Sequence, residues 1–144
     1  RLNVPRDRQK VFRGSIVAYA DDQKTRRLSV ASGLLDSFGA VSGEVARAMA
    51  EGACATLGTQ VAVSVTGIAG PAGGTATKPV GLVFVGVSSP SGVRVTRHLF
   101  RGDRETVRST ATSAALDELR RLLAGLPTLG EPVEVGEPEG GATP

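Results

Sequence analysis

The chain has 144 residues, 40% of them hydrophobic, and a net charge of +3, which predicts one soluble domain with a core of its own. No apolar run approaches the roughly 20 residues of a membrane helix, and the charged start lacks the apolar core of a signal peptide, so we expect a cytoplasmic protein without a membrane partner. One Cys and one His leave no conventional zinc site, and we expect metal-free chemistry without a cofactor.

The charge distribution favours an anionic ligand. The chain carries no basic residue after Arg121, so its last segment is acidic and the remainder is more basic than the total suggests. Nucleic acid, a nucleotide or a phosphorylated metabolite would each suit such a surface. Aromatic residues make up only 3% of the chain and the basic residues are scattered, which argues against nucleic acid.

The first elements in chain order are short. SIVAYA, residues 15–20, predicts a strand because it is rich in β-branched and aromatic residues. Asp21 or Asp22 could then cap a brief helix that ends near Leu28. Residues 31–41 predict a loop or a broken helix.

A longer helix and three strands follow. Ser42 predicts an N-cap and Gly58 a terminator, and the stripe of small apolar residues between them indicates close packing. Residues 60–65 and 80–88 predict two central strands, since both runs are apolar. The turn residues after the second run predict an antiparallel hairpin with 93–100, a more polar strand nearer an edge.

The last predicted element is a helix that starts near Asp103 and ends at Gly125. The pattern as a whole predicts an α/β fold, a three-layer α/β/α sandwich with a mixed sheet. We expect one domain over residues 1–125 and a disordered acidic tail, rich in Gly and Pro, over 126–144.

The segment VTGIAGPAGGTATKPVG, residues 65–81, joins the first two central strands and is long for a connection inside a compact domain. Glycine lets consecutive backbone N–H groups point at an anion, so the segment could hold a ligand. It matches neither the P-loop nor the dinucleotide pattern, and a plain connection is the alternative. Thr66 could orient a substrate or bond to local backbone. Lys78 precedes Pro79, which restricts its backbone, and could instead be an ordinary surface lysine.

This segment resembles the signature of the CinA C-terminal domain family, the nicotinamide-nucleotide amidases. Three further segments resemble the family in the same order: VAYADDQK, GAVSGEVARAMAEGA and FRGDRETVR. The resemblance covers roughly residues 11–123. It implies an α/β/α sandwich that hydrolyses the carboxamide of nicotinamide mononucleotide to nicotinate mononucleotide and ammonia, in pyridine nucleotide salvage.

The resemblance also implies the site residues. Tyr19, Lys24 and Thr66 would act at the reacting centre. The nucleotide pocket would be formed by Gly67, Ile68, Ala69, Gly70, Pro71, Gly73, Gly74, Thr75, Lys78, Arg104 and Arg108.

The chain departs from the family in one important element. The family's Glu-Ser-Cys-Thr-Gly-Gly segment, which carries the expected serine nucleophile, does not occur in these 144 residues, and we expect it to lie upstream of Arg1. The alternative function is therefore a nucleotide-binding module of the same fold that lacks turnover. The small-residue helix face and an exposed edge strand are compatible with a homodimer.

Lys24 is the predicted general base, because a lysine can activate a serine. A solvated surface lysine is the alternative for the same residue. His98 is expected to be an exposed strand residue, which excludes a histidine triad. Ser64 is expected to be a buried strand residue and Cys54 an inert core thiol.

Overall fold

The structure, a computed structural model, describes residues 11–136. Its helices are α1 (Asp21–Leu28), α2 (Ser32–Phe38), α3 (Gly43–Leu57) and α4 (Arg104–Leu123), and its strands are β1 (Ala62–Gly67), β2 (Leu82–Ser89), β3 (Gly92–Leu99) and β4 (Glu131–Pro132). Within the described range no helix combines the length and apolar character that crossing a membrane requires.

The four strands form one sheet in the order β1-β2-β3-β4. The hairpin of β2 and β3 is confirmed, with Leu82 opposite Leu99 and Ser89 opposite Gly92. Every pairing between described strands is antiparallel, so the prediction of a mixed sheet is wrong for this part of the chain. β1 was expected to be central and instead lies at the edge of the sheet that the described strands form. An apolar run indicates burial, and helices can bury a strand that has one neighbouring strand.

Helices cover both faces of the sheet, which confirms the α/β class and the three layers. On one face Ser64 of β1 donates to the carbonyl of Ala46 in α3 at 2.6 Å. On the other face valines of β2 pack against small residues of α4 in a cluster of Val83, Val85, Val87, Val107, Ala111 and Ala115. Ser64 lies opposite Gly86 of β2, and Gly86 alternates with Val85 and Val87. Successive residues of a strand point to opposite faces, so the two contacts lie on opposite sides of the sheet.

The predicted caps of the long helices are confirmed. The hydroxyl of Ser42 accepts from the Val45 amide at the start of α3, and Gly58 ends that helix in the left-handed conformation. Asp103 accepts from Thr106 at the start of α4. The cap expected at Asp21 or Asp22 is wrong, because Ala20 occupies the cap position without a side-chain bond and both aspartates lie in the first turn of α1.

Two segments differ from expectation. Residues 15–20 are not a strand: their inner residues Ile16 and Ala18 pack on the core, but the segment joins none of the described ladders. Residues 31–41, expected to be a loop or a broken helix, contain the intact helix α2.

The segment that follows α4 is also ordered where it is described. It includes β4, which pairs with β3, and the amides of Leu129 and Gly130 donate to Glu118. The disordered tail expected from residue 126 therefore differs from the structure over 126–136. The remainder of that tail lies outside the described residues, and the domain boundary at 125 stays a prediction.

Candidate functional site

Lys24 is a buried lysine, with 6% of its surface exposed. Its ammonium lies 2.8 Å from Oδ1 of Asp21 and 3.4 Å from the carbonyl oxygen of Tyr19. The solvated alternative for this lysine is wrong. A buried ammonium needs partners to offset its lost hydration, and both partners come from the five residues before it.

Tyr19 touches Lys24 through its backbone and not through its phenol. The residue is 88% exposed, so its ring stands in solvent. The catalytic role of Tyr19 stays a prediction.

Thr66 lies near the end of β1, where the strand gives way to the glycine-rich loop. The residue is buried, and its hydroxyl donates to the carbonyl of Ala40 at 2.7 Å. The hydroxyl therefore ties the loop entrance to the turn before α3. A local backbone bond was the alternative expectation, and the bond found here spans twenty-six residues.

The glycine-rich loop, residues 67–81, folds back on itself. Ile68 donates to Leu82 at 2.9 Å and accepts from Gly81 at 2.7 Å, so the two ends of the loop are held together. At its tip Thr75 and Lys78 exchange bonds: the Thr75 amide donates to the Lys78 carbonyl at 2.8 Å, and the Lys78 amide donates to the Thr75 hydroxyl at 3.0 Å.

Close packing inside the loop depends on glycine. A Cβ on Gly70 or on Gly74 would lie within 3 Å of Val80, closer than real side-chain carbons approach. Gly70 is buried, whereas the residues after it are exposed, in the run Pro71, Ala72, Gly73, Gly74 and Thr75. The loop is therefore a compact element with an exposed glycine-rich tip.

Two of the three cations predicted for the nucleotide pocket already have backbone partners. The ammonium of Lys78 donates to the carbonyl of Phe38, and Nη1 of Arg104 donates to the carbonyl of Gly70 at 3.0 Å. Arg108 lies one turn further along α4 and is exposed, and its guanidinium has no hydrogen-bond partner among residues 11–136. Of the three, Arg108 has the most donor capacity available for a ligand.

The predicted site residues thus fall into two groups. Thr66, the loop, Lys78 and Arg104 form one bonded network, and Lys24 with Tyr19 forms another. The side-chain bonds of Lys24 remain within its own segment, so no described hydrogen bond joins the Lys24 ammonium to the loop. The first group is also bonded to the carbonyls of Phe38 and Ala40, at the end of α2 and in the turn after it.

A shallow groove of about 350 Å³ opens between α1 and α2, next to Asp21, the partner of Lys24. It is lined by Asp21, Asp22, Thr25, Arg26, Ser32, Leu35 and Asp36. Its single guanidinium lies 3.8 Å from Asp22. The groove carries three carboxylates and one arginine, which is itself paired with Asp22. This negative balance repels a phosphate, so the groove suits an uncharged or cationic part of a ligand better.

The expectation of an exposed His98 is wrong, because the residue is 7% exposed. Its Nε2 lies 3.0 Å from the hydroxyl of Thr96 and 3.4 Å from Oε1 of Glu118, a glutamate with no exposed surface. Burial lowers the pKa of His98, and the nearby Glu118 opposes the shift without cancelling it. The spacing of Glu118 from Ala111, Ala114 and Ala115 already puts it on the inward face of α4.

Two aspartates of α4 and its cap have a lowered pKa for local reasons. The pKa of Asp103 is lowered because its carboxylate accepts from Thr106 at the start of α4. The pKa of Asp117 is lowered by bonds from Arg121 and Arg120. Both belong to helix structure and neither lies in the candidate site.

Comparison with known proteins identifies the family. The CinA C-terminal domain profile matches residues 4–123. A CinA-like protein of Geobacter metallireducens is 50% identical over 109 residues, which are 76% of this chain and 26% of that protein. A CinA-like protein of Gemmatimonas aurantiaca is 45% identical over 124 residues, 86% of this chain and 29% of that protein. The chain thus spans less than a third of the length of these curated relatives.

Solved structures of similar fold also come from this family. A competence/damage inducible protein from Agrobacterium tumefaciens superposes with a TM-score of 0.71 at 39% identity, over 74% of this chain and 66% of that one. A CinA superfamily protein from Escherichia coli superposes with a TM-score of 0.69 at 35% identity, over 72% of this chain and 60% of that one. The chain belongs to the CinA C-terminal domain family.

Proposed function

We propose that this domain is a nicotinamide-nucleotide amidase, which hydrolyses the carboxamide of nicotinamide mononucleotide to nicotinate mononucleotide and ammonia. The observation that carries the proposal is the burial of Lys24. The residue is 6% exposed, and its ammonium is bonded to the carboxylate of Asp21. Lysines are rarely buried unless they are paired, and a buried amine beside an exposed surface suits acid–base chemistry.

In its neutral amine form, Lys24 would accept a proton from an attacking water molecule and return it to the departing ammonia. Amide hydrolysis breaks the C–N bond, adds the oxygen of water to the carbonyl carbon and needs one proton on the leaving nitrogen. One lysine that takes up a proton and then releases it satisfies this balance. Asp21, at 2.8 Å, would hold the ammonium in place between the two transfers.

The glycine-rich loop would hold the nucleotide. Its tip is exposed and rich in glycine, and the loop ends are fixed by the bonds of Ile68. Amide groups on such a tip can bind the oxyanion or the ribose phosphate. Arg108 would contact the phosphate, because guanidinium presents paired donors to phosphate oxygens.

One observation favours the second candidate, a nucleotide-binding module without turnover. The side-chain bonds of Lys24 within the described residues go to Tyr19 and Asp21, and no serine hydroxyl is among them. Ser42 caps α3 and Ser64 bonds to Ala46, so neither is available as a substitute nucleophile. A module of this kind would bind the nucleotide and leave its amide intact.

The two candidates are separated by measuring binding and turnover on the same preparation. Calorimetric titration with nicotinamide mononucleotide reports binding, and chromatography reports nicotinate mononucleotide. Turnover that Lys24→Met abolishes supports the amidase. Binding without any product supports the module, and absence of both contradicts each candidate.

A further inference from the structure

We propose that Lys78 is a positioning residue, which closes the C-terminal end of α2 and so fixes the glycine-rich loop relative to the helices that carry Lys24. This inference rests on the proposed function for its kinetic consequence, whereas its structural consequence can be measured without turnover. It assigns to Lys78 a task other than the nucleotide contact expected from the sequence.

The first argument is a set of three consecutive carbonyls after α2. The carbonyl of Phe38 accepts from the ammonium of Lys78, that of Gly39 from the hydroxyl of Ser42 at 2.9 Å, and that of Ala40 from the hydroxyl of Thr66 at 2.7 Å. The three donors come from the loop, from the cap of α3 and from β1. These bonds therefore join the end of α2 and the turn after it to the loop, to α3 and to β1.

The second argument is electrostatic. The last carbonyls of a helix have no partner inside the helix and carry partial negative charge, so a cation near them is stabilising. The last turn of α2 contains no basic residue of its own. Lys78 supplies the missing charge from forty residues away along the chain.

The third argument is that the direction of Lys78 is fixed at both of its ends. Its amide and its carbonyl both bond to Thr75, and the following Pro79 restricts its backbone. At the tip of the side chain, the ammonium lies next to Gly39. That glycine has a φ of +74°, and a Cβ there would lie 3.1 Å from the ammonium. Glycine leaves the space that the lysine fills.

A shift at the end of α2 would reach Lys24 through packing. Leu34 and Leu35 of α2 pack on the same apolar cluster as Leu28, which ends α1. Lys24 lies one turn before Leu28 on α1. The Lys78 bond therefore constrains the distance between the loop and the candidate base.

The test compares three variants with the wild-type chain. Lys78→Met keeps most of the side-chain length and removes the charge, Lys78→Arg keeps a cation, and Arg120→Met is a control that removes one positive charge from the exposed far end of α4. The first readout is the hydrogen exchange of two amides, those of Gly39 and Thr75. The Gly39 amide donates to the carbonyl of Leu35 at 2.8 Å at the end of α2, and the Thr75 amide lies in the loop.

We expect both amides to exchange about 10-fold faster in Lys78→Met, since one charge-assisted bond is lost, with recovery in Lys78→Arg and no change in Arg120→Met. We also expect kcat to fall about 10-fold with KM nearly unchanged. Unchanged exchange in Lys78→Met overturns the inference, as does a raised KM with unchanged kcat, which would make Lys78 a phosphate ligand. If the wild-type chain shows no turnover, the proposed function fails and the exchange result alone decides the role of Lys78.

Discussion

Nε2 of His98 lies 3.4 Å from Oε1 of Glu118 on the face of the sheet that α4 covers. The distance alone would allow an ion pair. Burial nevertheless lowers the pKa of His98 in spite of the carboxylate, because the lost hydration of an imidazolium outweighs one attraction. The histidine is therefore neutral near neutral pH and serves as a packed, hydrogen-bonded part of the core.

We predict that the protein loses stability as the pH falls below about 6.5, the ordinary pKa of histidine in an unfolded chain. The folded pKa of His98 is lower than the unfolded one, so the unfolded chain takes up the proton first and unfolding becomes more favourable. Above the unfolded pKa this contribution to stability is fully present. The urea midpoint, measured between about pH 8 and about pH 5, reports the loss.

The matched control for this prediction is His98→Gln. The chain contains one histidine, so the variant removes the only side chain whose unperturbed pKa lies in that range. Its urea midpoint should vary less with pH than that of the wild type. An equal variation in both proteins would show that another group is responsible.

Glu118 should matter for stability through the segment after α4. Its Oε1 accepts the amides of Leu129 at 3.0 Å and Gly130 at 2.7 Å. We expect Glu118→Leu to lower the free energy of unfolding by about 1–3 kcal/mol, because two backbone amides lose their carboxylate acceptor. Glu118→Gln keeps an oxygen acceptor and should lose less. Chemical denaturation measures both, and a Leu variant as stable as the Gln variant would be evidence against this anchoring.

Two helical glycines give a direct test of packing between α1 and α3. A Cβ on Gly52 would collide with the backbone carbonyl of Leu28, whereas a Cβ on Gly33 would meet no atom within 4 Å. Gly52→Ala should therefore destabilise the protein by about 1–3 kcal/mol. Gly33→Ala should stabilise it by about 0.5–1 kcal/mol through helix propensity. Thermal unfolding of the two variants checks the signs, and a stabilised Gly52→Ala would contradict the close approach.

Arg108 should contribute to the affinity for a phosphorylated substrate. We expect Arg108→Ala to raise KM for nicotinamide mononucleotide about 10-fold, the worth of one charged hydrogen bond. The unphosphorylated nicotinamide riboside is the control ligand, and its KM should not change. Equal effects on both compounds would rule out a phosphate contact.

The parts of the fold set by local residue types were predictable from the sequence. Ser42 and Asp103 cap their helices as expected, because a cap depends on residues three positions away. The turn between β2 and β3 depends likewise on the four residues 89–92. The family and the position of the glycine-rich loop followed from its unusual sequence.

Long-range relations in the site were not predictable in the same way. Lys24 lies in the polar segment DDQKTRR, and its burial depends on α3 packing over α1. The partner of Lys78 is forty residues distant, and no local pattern indicates it. Placing β1 at the edge of the sheet required the strand order, which hydrophobicity alone does not give. Glu118 was not among the residues expected on the inward face of α4, although its spacing from Ala111, Ala114 and Ala115 places it there.

The most direct test of the proposed function is conversion of nicotinamide mononucleotide by the wild-type chain and by Lys24→Met and Lys24→Arg, with ammonia and nicotinate mononucleotide both quantified. We predict equal amounts of the two products from the wild type. We expect a loss of at least about 100-fold in kcat for Lys24→Met, as for removal of a general base, with little change in nucleotide affinity. Product formation by Lys24→Met at the wild-type rate, or no product from the wild type despite binding, would contradict the assignment of Lys24 as the base of an amidase.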